Sequence, residues 1–220
     1  MKIKIGISAC LTGEQVRYDR SHKCSGFCMN ELAKFVEFKP FCPEVAIGMP
    51  IPRPTIRQVK HDQLIKVTRA DGTGDVSDAL ARYGRKVANI SDQLSGFIFT
   101  AKSPSCGMER VKVYHTDEDG KVTGSEATGV GLFAQQIMAQ NPALPCEENG
   151  RLNDPIIREN FVLRVFAYHE WLAFKALGLT KHKLIQFHSQ HKYLLLSHDQ
   201  NRYKSLGKLL GSSKLPLEEL

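Results

Sequence analysis

Three cysteines, Cys10, Cys42 and Cys106, stand far apart in the chain, each where an apolar, strand-like run gives way to a loop rich in small residues or proline. They lie in Ile5-Gly6-Ile7-Ser8-Ala9-Cys10, Phe41-Cys42-Pro43-Glu44 and Ser103-Pro104-Ser105-Cys106-Gly107. Strand ends of an open α/β sheet converge on one edge, where ligands bind. Three thiolates meeting there could hold a metal centre and leave one coordination position free, as a reactive centre requires. The intervals between them match no local iron–sulfur run. Buried structural cysteines, the commonest fate of a free thiol, are the competing reading. Glu44, two residues beyond Cys42, would set a carboxylate beside such a centre as a base for water. Ser103, three residues before Cys106, lies on a proline-containing turn that would fix its hydroxyl. For these two, a helix cap or surface carboxylate and a plain turn residue are the alternatives.

Arg17, Arg53, Arg57 and Lys102 lie near these loops, and Arg17-Tyr18-Asp19 could hold a phosphate or carboxylate through bidentate hydrogen bonds. Solvated surface is the rival for each. Gly129-Val130-Gly131 resembles an anion-binding turn at a helix start, although two glycines do not make a nucleotide fingerprint. Cys24 and Cys28 form a close pair, but no second close pair or His-x-His partner completes a zinc site, so the pair reads as incidental. His188, His191 and His198 share a helix face, where partly buried or solvated histidines are favoured over a metal or nucleic-acid role.

The elements that must position these residues alternate between strand and helix. Lys2–Ser8 predicts a strand, Glu31–Phe38 a short amphipathic helix, and Lys39–Phe41 a brief strand into Cys42. Pro43, Pro50, Pro52 and Pro54 predict an ordered loop or lid without regular structure. Leu64–Arg69 reads as a strand. Leu80, Tyr83, Val87, Ile90 and Leu94 predict a helix capped by Asp75 or Ser77 and ended by Gly96. Phe97–Thr100 is the unbroken apolar run of a central parallel strand. Val111–His115 and Lys121–Thr123 suggest a hairpin about Asp119-Gly120, followed by a helix over Gly129–Gln140.

This amounts to an α/β fold, an open, mostly parallel sheet with flanking helices. A linker is expected at Asn141–Pro145, and beyond it a small all-helical second domain. There Asn153 or Asp154 caps a helix that begins with Pro155; further helices cover about Lys181–Leu196 and the residues from Asn201. Lys214–Leu220 carries no helix stop of its own, and the short helices with wide apolar faces are read as a domain cut short.

The chain has 220 residues, 42% of them hydrophobic and 24% charged, a balance expected of a soluble globular protein. No apolar run approaches a membrane span, and the alternating start is no signal peptide, so a cytoplasmic location is expected. A reducing compartment favours thiols or metal ligands over bridges for the six cysteines. The net charge of +7 forms no dense basic stripe, which fits an anionic small molecule at least as well as a stable nucleic-acid partner.

Ser8-Ala9-Cys10-Leu11-Thr12-Gly13, Arg17-Tyr18-Asp19, Cys42-Pro43-Glu44 with Gly48-Met49-Pro50 and Pro52-Arg53, and Lys102-Ser103-Pro104-Ser105-Cys106-Gly107 together resemble the successive motifs of the thiouracil desulfidase family. The resemblance covers about residues 1–146 in the right order. Pro145–Leu152, Arg158-Glu159-Asn160-Phe161, Phe187-His188 and His191-Lys192 resemble the opening of a YbgA-type helical domain. The division expected is therefore 1–143 and 144–220.

The resemblance implies a [4Fe–4S] cluster held by Cys10, Cys42 and Cys106, with the fourth iron open to the sulfur of a thiolated uracil. It implies Glu44 and Ser103 in water activation and proton handling. It also implies a non-redox desulfidation of 2- or 4-thiouracil compounds, with 4-thiouridine 5′-monophosphate from degraded tRNA as the physiological example. Arg17, Asp19, Arg53 and Lys102 are the candidates for holding that substrate. The chain departs from the family pattern at Val16 and Arg20, where a cysteine and a glycine are common. The alternatives are a redox or metal sensor built on the same cysteines, an RNA-binding protein without turnover, and a sulfur acceptor for tRNA thiolation. The last is disfavoured because no phosphate-binding loop for ATP is present.

Overall fold

The alternation of Lys2-Ile3-Lys4-Ile5 produces a strand, Ile3–Ser8, whose Ile3, Ile5 and Ile7 are buried. The structure, a computed structural model, describes residues 2–61, 64–117 and 120–212. In chain order the strands are β1 (Ile3–Ser8), β2 (Val36–Phe41), β3 (Ile56–His61), β4 (Leu64–Arg69), β5 (Gly96–Phe99), β6 (Val111–Thr116), β7 (Val122–Gly129) and β8 (Cys146–Glu148). The α-helices are α1 (Pro43–Ala46), α2 (Ser77–Ala88), α3 (Leu132–Gln140), α4 (Pro155–Ala176), α5 (Lys181–Gln190), α6 (Lys192–His198) and α7 (Gln200–Gly211).

The expected open parallel sheet is present, with strand order β2-β1-β5-β8 and every neighbouring pair parallel. The chain runs from β1 to β2 on one side and later to β5 on the other, so the order reverses at β1. The crevice at the carboxyl ends of such strands is where open α/β sheets bind ligands. A second sheet, order β4-β3-β6-β7, is mixed: β3 pairs antiparallel with β4 and parallel with β6, and β6 pairs antiparallel with β7.

Strand β5 explains the two cores. Ile98 joins Ile3, Ile5 and Ile7 on one face, against Phe161 and Val165 of α4. Phe97 and Phe99 point to the other face, against Val87 and Ala88 of α2 and Phe133, Ala134 and Ile137 of α3. Burial on both faces is why the run is apolar without alternation. The Phe97 and Phe99 rings stack at 4.3 Å, and Phe133 meets both edge-on. Such aromatic pairs contribute about 0.5–1.5 kcal/mol each beyond their buried area. Gly6 is opposite Phe97 in the ladder, and a Cβ there would lie 2.4 Å from the ring.

Several local expectations are corrected. The helix expected over Glu31–Phe38 is replaced by single turns at Phe27–Glu31 and Leu32–Lys34. Strand β2 begins at Val36 because it pairs with β1 along its whole length, from Ile3↔Val36 to Ser8↔Phe41. Pro40 is tolerated because β2 is an edge strand. Pro43 starts the short helix α1, where its missing N–H costs nothing. Helix α2 stops at Ala88, short of Ile90 and Leu94, and Gly96 belongs to β5, where a Cβ would lie 2.8 Å from Val165. Asp75 accepts from the Ser77 amide at the start of α2. The hairpin strands are longer than expected, and Asp119 of the expected turn lies outside the described residues, as do 214–220. Cys146–Glu148, read as the approach to helical sequence, is a strand paired with β5.

The chain packs as two compact units, Met1–Tyr168 and His169–Leu220, with the division falling within α4. Asp154 caps α4, accepting from the amides of Ile156 and Ile157. In the second unit the helix expected over Lys181–Leu196 breaks at His191, whose ring nitrogen and amide both engage the Phe187 carbonyl. Phe187 meets Trp171 and Phe174 edge-on.

Gly6→Ala should lower the unfolding free energy by about 1–3 kcal/mol through overpacking against Phe97. The expected reading is a lower urea midpoint with an unchanged slope.

Candidate active site

Cys10 lies in the single turn Ala9–Thr12 that follows β1, Cys42 caps α1 after β2, and Cys106 lies in the loop after β5. All three cysteines line one cavity of about 220 Å³, together with Glu44, Ser103, Arg17, Arg53 and Lys102. All six cysteines are free, and the other three are elsewhere: Cys24 exposed, Cys28 in one core, Cys146 against the other. Among the described residues no three His, Cys, Asp or Glu side chains gather closely enough for a single metal ion. Three thiolates on one zinc would bring their sulfurs within about 4 Å of one another. Cys10, Cys42 and Cys106 instead bound a cavity, an arrangement that suits a larger thiolate-held group.

Burial pushes the Cys10 and Cys42 thiols above the ordinary range. It pushes Cys106 well above that range, with Glu44 adding to the effect. At Cys10 the rise is opposed first by a 3.0 Å contact with the Thr100 hydroxyl and then by the charges of Lys23 and Arg17. Cys146, in its apolar site, is raised by burial to about 12.

Glu44 lies in the first turn of α1, with both carboxylate oxygens engaged. Oε2 accepts from Arg53 Nε at 2.9 Å and Nη2 at 2.6 Å, and Oε1 accepts from the Ser105 hydroxyl at 2.7 Å. Ser103 Oγ accepts from the amides of Ser105 (3.3 Å) and Cys106 (3.2 Å), which leaves its hydroxyl proton for donation. The turn chemistry expected of Ser103 and its place on the cavity thus coincide.

Arg17 donates to the Ser21 hydroxyl at 2.6 Å, and that hydroxyl donates to Asp19 at 2.5 Å. Asp19 is exposed and does not line the cavity; it holds the turn that carries Arg17. Lys102 is exposed on the cavity rim with a positive φ of 61°. Arg57 is away from the cavity, over the Tyr114 ring. Tyr18, of the quoted Arg17-Tyr18-Asp19 motif, also lines the cavity, as do Lys23, Thr55 and Thr100, which the sequence did not single out. Lys23 arrives through a long-range bond from its amide to the Cys10 carbonyl, which no local pattern signals. Ser105 was missed as a partner of Glu44, although it stands within the quoted Ser103–Gly107 motif.

The loop bearing Cys106 is fastened on three sides. Gly131 N donates to the Gly107 carbonyl at 2.7 Å and Phe133 N to the Ser105 carbonyl at 3.0 Å. Gln58 Nε2 donates to the Pro104 and Val130 carbonyls. Buried Glu148 accepts from the Met108 amide at 2.7 Å, and Asn149 accepts from the Ala101 amide. These bonds correct the anion-binding reading of Gly129-Val130-Gly131: the first amides of α3 are spent on loop carbonyls. Gly131 permits that approach, since a Cβ there would lie 2.5 Å from the Ser105 backbone. The helical histidines follow the bland reading: in the second unit His191 pairs with Glu170, and His188 stacks on Tyr203.

Comparison with known proteins finds that a family model described as 2-thiouracil desulfurase matches residues 5–149. A solved structure of the [4Fe-4S]-dependent thiouracil desulfidase TudS is similar, with 26% identity and a TM-score of 0.56. The match covers 74% of this chain and 99% of that one. The uncharacterized protein YbgA of Escherichia coli (strain K12) is 39% identical over 49 residues, 22% of this chain. The match spans 29% of that relative's length.

Raised thiol pKa values make alkylation of the metal-free chain a test of the site. Only thiolate reacts, so a raised pKa leaves less of it near neutrality and more only as pH climbs. With iodoacetamide near about pH 7, exposed Cys24 should label first and buried Cys106 should lag well behind it. Labelling of Cys10, Cys42 and Cys106 should still be accelerating beyond about pH 9, read by peptide mass spectrometry.

Proposed function

Because the chain belongs to the 2-thiouracil desulfurase family, we propose that it hydrolyses the C=S bond of a thiolated uracil compound to the oxo-pyrimidine and sulfide, with 4-thiouridine 5′-monophosphate as the physiological example. One observation carries this reading: Cys10, Cys42, Cys106, Glu44 and Ser103 line the same cavity. A [4Fe–4S] cluster of the kind named for TudS would be held by Cys10, Cys42 and Cys106. When bound, the cluster supplies a thiophilic Lewis-acid iron with an open position for the substrate sulfur.

The chain's own residues supply the proton chemistry. Glu44 takes a proton from the water that attacks the ring carbon, using the lone pair of Oε1 left beyond its bond with Ser105. Ser103 donates its hydroxyl proton toward the ring or the leaving sulfur and is reprotonated through the cavity. The water oxygen ends on carbon and its two protons leave with sulfide, so no electrons are exchanged. Arg17, Lys23 and Lys102 set positive charge around the cavity to meet a 5′-phosphate, and Asp19 acts by holding Arg17. The reading sets the reaction in the cytoplasm, where thiols stay reduced, with no stable nucleic-acid partner. Among the described residues no helix is long and apolar enough to cross a membrane. The helices after β8 are assigned in this reading to a YbgA-type helical segment, which begins later than the expected residue 144 because Cys146–Glu148 pairs in the parallel sheet.

Anaerobically purified protein should contain about four iron and about four acid-labile sulfide per chain, and Cys106→Ala should lose most of both. Glu44→Gln should keep the cluster and lose turnover of 4-thiouridine monophosphate by about 10²–10⁴-fold. Protein free of iron under strict anaerobiosis, or iron indifferent to Cys106→Ala, would sink the reading.

A further inference from the structure

Arg53 is a charged side chain with only 3% of its surface exposed, and its donors are almost fully spent. Besides the two bonds to Glu44 Oε2, its Nη2 donates to the Val16 carbonyl at 2.8 Å and its Nη1 to the Pro50 carbonyl at 3.3 Å. Four of its five N–H groups are therefore engaged. Turning the guanidinium toward a substrate phosphate would break these bonds and leave the half-buried Glu44 carboxylate without its counter-charge, a costly exchange. The Met49 N to Glu44 carbonyl bond, at 3.0 Å, closes the turn that leads into the proline-rich segment bringing Arg53 back beside Glu44. The Arg53 amide donates to the Tyr18 carbonyl at 2.9 Å, tying the same pair to the segment that carries Arg17.

We infer that Arg53, with fully buried Ser105 on the opposite carboxylate oxygen, is a positioning residue for Glu44, and that the substrate's anionic group is left to Arg17, Lys23 and Lys102. The inference rests on the desulfidation proposed above. A carboxylate held through one oxygen by a charged fork and through the other by a hydroxyl keeps one orientation, so its remaining lone pair has a fixed direction for the attacking water. This separates two jobs among the basic residues of one cavity: orienting the base and receiving the phosphate. The exposed Lys102 and Lys23 and the half-buried Arg17 suit the second job, because they can meet an incoming anion without abandoning a buried partner.

The test compares 4-thiouracil, which has no phosphate, with 4-thiouridine 5′-monophosphate on cluster-loaded wild type, Arg53→Gln, Arg53→Lys, Ser105→Ala, Glu44→Gln and the Arg53→Gln/Glu44→Gln double variant. Arg53→Gln should lower kcat by about 10–100-fold for both substrates alike, with KM moved by less than about threefold. Ser105→Ala should lower kcat by about 3–10-fold in the same pattern. Arg53→Lys should recover little, because an ammonium cannot reproduce the fork. In the Glu44→Gln background, Arg53→Gln should cost no further kcat, whereas a merely structural defect would multiply the loss. A KM increase confined to the nucleotide, with kcat for 4-thiouracil kept, would overturn the inference and return Arg53 to substrate binding. Thermal unfolding of the same four-member cycle decides the pairing without turnover. The double variant should lose less Tm than the sum of the single variants, and additive losses would also overturn the inference. If wild type turns over neither compound, the desulfidation reading fails while the unfolding cycle still reports on the pair.

Discussion

Because β1 pairs in parallel with β2 on one side and β5 on the other, three chain segments leave the sheet at the same edge and in the same direction. Each of those exits carries a cysteine, one residue beyond β2, two beyond β1 and seven beyond β5. Antiparallel pairing of any of the three would send its loop to the far edge, and the shared cavity would not exist. The register matters as much as the direction. Side chains alternate between faces along β5, so a one-residue slip would exchange Ile98 for Phe97 and Phe99 in the two cores. The aromatic contacts with α3 and the aliphatic contacts with α4 are thus what hold the cysteine loops level.

The thiols and the polar side chains of the cavity are stabilised in opposite ways. Burial disfavours the thiolate form of Cys10, Cys42 and Cys106, so an empty site prefers protonated sulfur. A metal centre that binds thiolate must therefore release protons as it loads, and its retention couples to pH and to folding. Glu44 has its counter-charge built into the chain as Arg53, so its environment does not wait for a cofactor. The cavity accordingly combines one half that is complete in the bare polypeptide with another whose thiols would turn anionic only beside an added positive centre. The loop around Cys106 mediates between them, since Ser105 belongs to the Glu44 grip and Cys106 is the next residue.

Much of this arrangement was legible in the sequence because it follows from strong local signals. The Phe97–Thr100 run could hardly be other than a buried strand, and the small-residue and proline breaks after strands mark where loops begin. What was not legible depends on distant partners. β3 carries Arg57, Gln58 and Lys60, and reads as surface until β4 and β6 are seen to flank it. The approach to β2 resembles a helix because Leu32, Phe35 and Val36 recur at helical spacing while Val36 and Phe38 alternate as in a strand, and only pairing with β1 decides between them. Arg53 looks like a free cation beside a loop; its engagement with Glu44 depends on how the prolines fold the chain back. Gly129 and Gly131 look like a phosphate turn, whereas their actual use is to let α3 touch the Cys106 loop.

The limits of the parallel sheet carry a further consequence. Its outer strands differ from the central pair: β2 exposes Glu37, Lys39 and Pro40, and β8 is only three residues long. Charge, proline and brevity are the features by which natural edge strands refuse an incoming strand. The central strands, among the most aggregation-prone stretches of the chain by composition, are therefore enclosed by borders that are poor templates for growth. Sheet-to-sheet joining between molecules is thereby discouraged, and the oily middle of the protein is kept from becoming a fibril seed.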